Sequence, residues 1–150
     1  MREIEFRGLT ADGTWAYASF RDVIEAQTHH PVEYFRVDPD TIGEWTGLYD
    51  KYGVKVFEGD ILKFKEIVNG EKISDKYGLV KFGEHISDGT AEIGWYIEWY
   101  PTNTKPYSCY SNDILFWVDP KWHEKYNNPA TVVGNTYENP ELLLKSDKKE

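Results

Sequence analysis

Along the first third of the chain, apolar and polar residues alternate in short stretches broken by turn formers. "EIEFRG" alternates through Glu3, Ile4, Glu5, Phe6 and Arg7, a period of two that suits a half-buried strand. Asp12-Gly13 follows, a dipeptide favoured where a hairpin needs positive φ, and "WAYASF" then places Trp15, Tyr17 and Ser19 on one side. The pattern predicts an opening hairpin. "RDVIEAQTHHPVEYFRV" fits either a short helical turn that Pro31 stops or irregular chain. Asp38-Pro39-Asp40-Thr41 predicts a single helical turn, with Asp38 as cap and Pro39 in first position, and Gly43 and Gly47 ending such turns. Asp50-Lys51-Tyr52-Gly53 reads as a type I turn joining a short strand around Gly47–Tyr49 to "VKVF".

Strands dominate the middle. "DILKFKEIV" leads to a hairpin turn at Asn69-Gly70, "GLVKFGE" reads as a short strand, and Asp88-Gly89 supplies the next turn. "AEIGWYIEWY" carries Ile93, Trp95, Ile97 and Trp99 on one face, which predicts a core strand; Glu92, Gly94, Tyr96, Glu98 and Tyr100 line the other. Residues 101–112 read as a long exposed loop or a poorly ordered excursion. "DILFWV" reads as a strand or as the lead into a helical stretch, "DPKWHEKYNN". A strand through Val132 and Val133 and a final turn starting at Asn139-Pro140-Glu141 close the pattern. Residues 1–144 are expected to form a single domain, or two lobes sharing one core, and 145–150 a flexible charged tail.

Composition narrows the function classes. The formal net charge of the 150-residue chain is −9, spread through both halves, and no Lys/Arg stripe could neutralise successive phosphates. Direct nucleic-acid binding is disfavoured and a basic protein partner is electrostatically easier. Apolar runs are far below the roughly 20 residues that cross a bilayer. The N-terminus lacks the apolar stretch of a signal peptide, and Cys109 is the one cysteine, so no internal disulfide forms and a cytoplasmic protein is expected. Aromatic residues are abundant, with 6 Trp, 11 Tyr and 7 Phe, more than one small core needs, which suggests a partner or self-association surface. Trp45, Tyr96, Tyr100 and Trp122 are the candidate contact residues.

Candidate chemistry is sparse. His29 and His30 are adjacent and point apart in extended chain, and His85 and His123 lack a second ligand at metal-type spacing, so no metal site is expected. Nothing local activates Cys109, phosphate-cradling glycine loops are missing, and no cofactor is expected. That leaves the carboxylates of Glu58-Gly59-Asp60. With Glu92 or Glu98 facing them, Glu58 and Asp60 could perform acid–base work as a small hydrolase-type site. Alternatively Gly59 permits a sharp bend and Asp60 accepts backbone amides there, as at the corner of a small SH3-like barrel. The fold class expected is mainly β, a β-rich α+β chain with an SH3-like barrel core, an N-terminal hairpin and one or two short helices.

Three stretches share one likeness. "FRGLTADGTWAYASF", Val37 to Lys63 ("VDPDTIGEWTGLYDKYGVKVFEGDILK") and "VVGNTYENPELL" resemble the opening, central and closing motifs of the YopX family of phage and prophage proteins. Residues 84–128 carry little of that signature. The resemblance implies a compact, mainly β protein acting in the bacterial cytoplasm and supplies no catalytic residues. It leaves a non-enzymatic protein-binding or self-associating module as the leading expectation. A carboxylate enzyme and a nucleic-acid-linked SH3-like module are the alternatives.

Overall fold

The computed structural model describes residues 3–19, 36–68, 70–87, 89–100 and 130–144. The strands are β1 (Glu5–Leu9), β2 (Trp15–Ser19), β3 (Gly43–Tyr49), β4 (Lys55–Phe57), β5 (Asp60–Val68), β6 (Glu71–Ser87), β7 (Thr90–Tyr100) and β8 (Thr131–Asn135). They form two four-stranded sheets, ordered β2-β1-β3-β4 and β7-β6-β5-β8. The mainly β expectation holds. Neither sheet closes on itself among the described residues, so they show no barrel. Helix is limited there to two 3-10 turns, Pro39–Thr41 and Pro140–Leu144. The chain divides into two compact units, Met1–Gly47 and Leu48–Glu150.

In the first unit, β1 and β2 pair antiparallel from Glu5↔Ser19 to Leu9↔Trp15, the predicted hairpin. Its loop is wider than a two-residue turn. Thr10 N–H donates to Thr14 O (2.9 Å) and Gly13, at φ +82°, donates to Thr10 O (3.0 Å). Asp12 accepts from the hydroxyls of Thr10 and Thr14, which hold its carboxyl below the ordinary value. The Arg7 guanidinium lies 4.2 Å from the centre of the Trp15 ring. The 3-10 turn forms as the sequence predicts: Asp40 N–H donates to the Asp38 carboxylate (3.0 Å) and Pro39 opens the turn. Thr41 Oγ1 accepts from Leu9 N–H (2.8 Å), tying the turn to β1. Gly43 and Gly47 do not end turns; both lie within β3, Gly47 at φ +86°.

In the second unit, β5 and β6 form a hairpin closed at Val68↔Glu71, and β6 and β7 form another closed at Ser87↔Thr90. Gly70 and Gly89 hold φ +81° and +80° in these two-residue loops, as their sequences predict. The main departure is β6. It runs 17 residues, where the sequence predicts only a short strand at "GLVKFGE". Its first half pairs β5 and its second half pairs β7, so each polar stretch gains a partner that local pattern does not reveal. Val56, Leu62, Phe64, Val80, Ile97, Trp99 and Ala130 form the core, with Leu48, Trp95 and Val132 packed against it. The expected helical region around Trp122, the loop at 101–112 and the stretch 21–35 lie outside the described residues.

Candidate functional site

The Glu58-Gly59-Asp60 corner is built for folding. Gly59 adopts φ +89°, a conformation that L side chains rarely adopt, and turns the chain from β4 into β5. Its N–H donates to Val80 O (2.9 Å) and its C=O accepts from Thr136 N–H (2.8 Å). Asp60 is 1% exposed, and its Oδ2 accepts from Phe57 N–H at 2.7 Å. The amide-binding role expected of Asp60 is the one observed.

The closing motif meets this corner. Asp60 pairs with Asn135 across the β5–β8 ladder. A Cβ added to Gly59 would stand 3.1 Å from the Tyr137 ring. Asn135 organises the turn after β8: its Oδ1 accepts from the amides of Tyr137 (3.0 Å) and Glu138 (2.9 Å), while Nδ2 donates to Glu138 Oε1 (2.9 Å). Two motifs more than seventy residues apart in sequence therefore form one joint.

Of the predicted acids, the ladder register separates Asp60 from Glu98 and Glu92. Glu98 stands opposite Leu79, which stands opposite Ile61; by alternation Asp60, next to Ile61, points to the other face of the sheet. Glu98 accepts from Lys81 Nζ (3.4 Å) and from the Tyr100 hydroxyl. Glu92 stands opposite His85, with its Oε2 3.9 Å from the ring Nε2. No group of three or more His, Cys, Asp or Glu among the described residues could hold a metal ion.

The candidate contact residues separate. Trp45, expected at the surface, is 6% exposed and belongs among the buried residues. Its aromatic side chain fills interior volume, the role that strand aromatics most often play. Tyr96 stacks on His85 with ring centres 4.6 Å apart, and Tyr100 bonds Glu98; both are half-buried on the polar face of β7. Trp122 lies outside the described residues.

The surface that sequence reasoning missed is the far end of the β6–β7 ladder. Pairing with β5 stops at Leu79, and from there to Ser87 β6 has only β7 beside it in the described ladders. This two-stranded ribbon is inverted. Lys81, Gly83 and His85 are half-buried, whereas Phe82, Glu84 and Ile86 on the other face are exposed. Phe82 is 53% exposed, Ile86 64% and Ile93 78%. Phe82 and Trp95 stand opposite each other with ring centres 5.0 Å apart, edge to face. The face predicted to be core along Ile93, Trp95, Ile97 and Trp99 is buried only at Ile97 and Trp99. The closing pair Ser87↔Thr90 fixes the whole register, so the pairs Phe82↔Trp95 and His85↔Glu92 follow once β6 is known to be long.

No described helix is long and apolar enough to cross a membrane. No curated protein matches the chain. The sequence model described as YopX protein matches residues 4–144 of the 150, a span that includes the first hairpin, the Gly59 corner, the ribbon and the closing joint. The chain belongs to the YopX protein family.

Proposed function

We propose that this chain is a non-enzymatic protein-binding module whose contact surface is the apolar face of the β6–β7 ribbon. One observation carries the reading: Phe82, Ile86 and Ile93 are each more than half exposed on one face of a strand pair whose polar face is the half-buried one. Contiguous exposed apolar side chains of this size mark interaction surfaces. Covering what remains exposed of each is worth about 1–2 kcal/mol before the cost of association is subtracted. Of the four acids that could serve an enzyme, Asp60 binds a backbone amide and Glu98 bonds Lys81 and Tyr100.

The setting we infer is that of a phage or prophage accessory protein in the bacterial cytoplasm, in keeping with the family likeness. SH3-like barrel character belongs to the same proposal, supported by the sharp Gly59 corner that leads into β5.

The test is affinity purification from cells carrying the native gene, comparing the wild type with Phe82→Ser/Ile93→Ser. Proteins retained by the wild type should be lost from the variant while its circular dichroism is unchanged. An identical set of co-purifying chains would refute the reading.

A further inference from the structure

The chemistry of the ribbon face specifies the kind of segment that it takes. Glu84 sits at the centre of the apolar strip, two residues from Phe82 and two from Ile86 on β6, and directly opposite Ile93 on β7. It is exposed, and its carboxylate makes no hydrogen bond or ion pair with the described residues. The nearby cation Lys81 points to the other face by alternation and is bonded to Glu98 at 3.4 Å. Among the described residues, the strip thus presents a lone carboxylate framed by Phe82, Ile86, Ile93 and Trp95.

A second copy is a poor occupant. Two ribbons packed face to face about a two-fold axis through this strip would bring their Glu84 carboxylates toward one another, with no cation among the described residues of either strip. Both copies would also carry the net charge of −9. A purely apolar partner would bury the carboxylate unpaired. A cation between two apolar side chains satisfies all three demands.

We propose that the strip binds an extended segment of another protein in which apolar, Lys or Arg, and apolar side chains occupy alternate positions. The cation meets Glu84, and the flanking side chains cover Phe82 with Trp95 on one side and Ile86 with Ile93 on the other. This inference rests on the binding-module reading and adds the class of partner.

The experiment titrates the isotopically labelled full chain with two blocked peptides and follows its amide NMR signals. Both peptides alternate threonine with leucine–X–leucine, with X lysine in one and glutamate in the other. The lysine peptide should shift the amides of Phe82–Ile86 and Ala91–Trp95 and bind about fivefold tighter than the glutamate peptide, the scale of an exposed ion pair. Glu84→Lys should reverse that preference, and a retained His85–Tyr96 stack, read from the histidine ring signals, shows that the variant ribbon is formed.

Equal affinities, no shift with either peptide, or a preference unchanged by Glu84→Lys would overturn the proposal. So would strip signals that move on dilution without peptide, because a second copy would then be the occupant. If the Phe82→Ser/Ile93→Ser variant loses its cellular partner while the peptides show no preference, the binding reading survives and the segment assignment fails.

Discussion

The carboxylate of Asp50 accepts a hydrogen bond of 3.0 Å from the amide of Val132, 82 residues further along the chain. Its other oxygen accepts from Tyr52 N–H (2.9 Å) and Val54 N–H (3.0 Å), so one buried side chain shapes the β3–β4 turn and fastens it to β8. Asp50→Ala should cost about 2–3 kcal/mol, the scale of charged hydrogen bonds lost with a donor left unpaired. Asp50→Asn has one acceptor oxygen and should recover only part of this. Thermal denaturation of both variants checks the ranking. An unchanged melting temperature for Asp50→Ala would contradict it.

Gly59 and Gly53 separate conformational strain from contact. Both have positive φ, +89° and +81°, but a Cβ on Gly53 meets nothing within 4 Å, whereas one on Gly59 stands 3.1 Å from the Tyr137 ring. Gly53→Ala should cost about 1 kcal/mol from backbone strain alone. Gly59→Ala should cost about 1 kcal/mol more from crowding, and Gly59→Val more still. Urea denaturation of the two alanine variants measures the difference, and equal midpoints would show that the contact with Tyr137 is harmless.

Gly78 is a packing requirement rather than a turn. It faces Trp99 across the ladder, and a Cβ there would stand 2.3 Å from Ile97 Cγ2 and 3.2 Å from the Trp99 ring. Gly78→Ala should destabilise by about 1–3 kcal/mol, as overpacked cores do. In an Ile97→Ala background the same change should cost less, because the clashing methyl is gone. A double-mutant cycle reads this coupling directly, and simple additivity would argue against the clash.

Tyr100 predicts alkaline behaviour. Its hydroxyl donates to Glu98, and that bond, with partial burial and the Glu98 charge, raises its pKa to about 12 from an ordinary 10.0. Because the folded value is the higher one, the bond's contribution is complete below pH 10 and lost as pH rises from there through about 12. In a phenolate absorbance titration, Tyr100→Phe should remove one late-titrating group. Its stability should also fall less than that of wild type across this window. The stability change is small, since Tyr100 is half-exposed to screening solvent. Loss of an early-titrating group would oppose the assignment.

Much of this protein is written locally. Asp12-Gly13, Asp50 to Gly53, Gly70, Gly89 and the Asp38-Pro39 cap act over two to four residues, so each turn could be read from neighbours alone. Gly59 and Asp60 were legible as a corner for the same reason. Sequence pattern therefore determined the hairpins, the mainly β class and the amide-binding corner role of Asp60.

Tertiary structure alone decided what covers each face. Period two says that Ile93 and Trp99 lie on one side of β7, but burial depends on where β5 stops pairing and how the core packs. It also decided that the closing motif would seal the Gly59 corner and that Asp50 would hold Val132, bonds between segments that share no local signal. Alternation fixes which side chains share a face, whereas the choice between core and solvent depends on distant parts of the chain, and that choice turned half of a predicted core strand into the candidate binding surface.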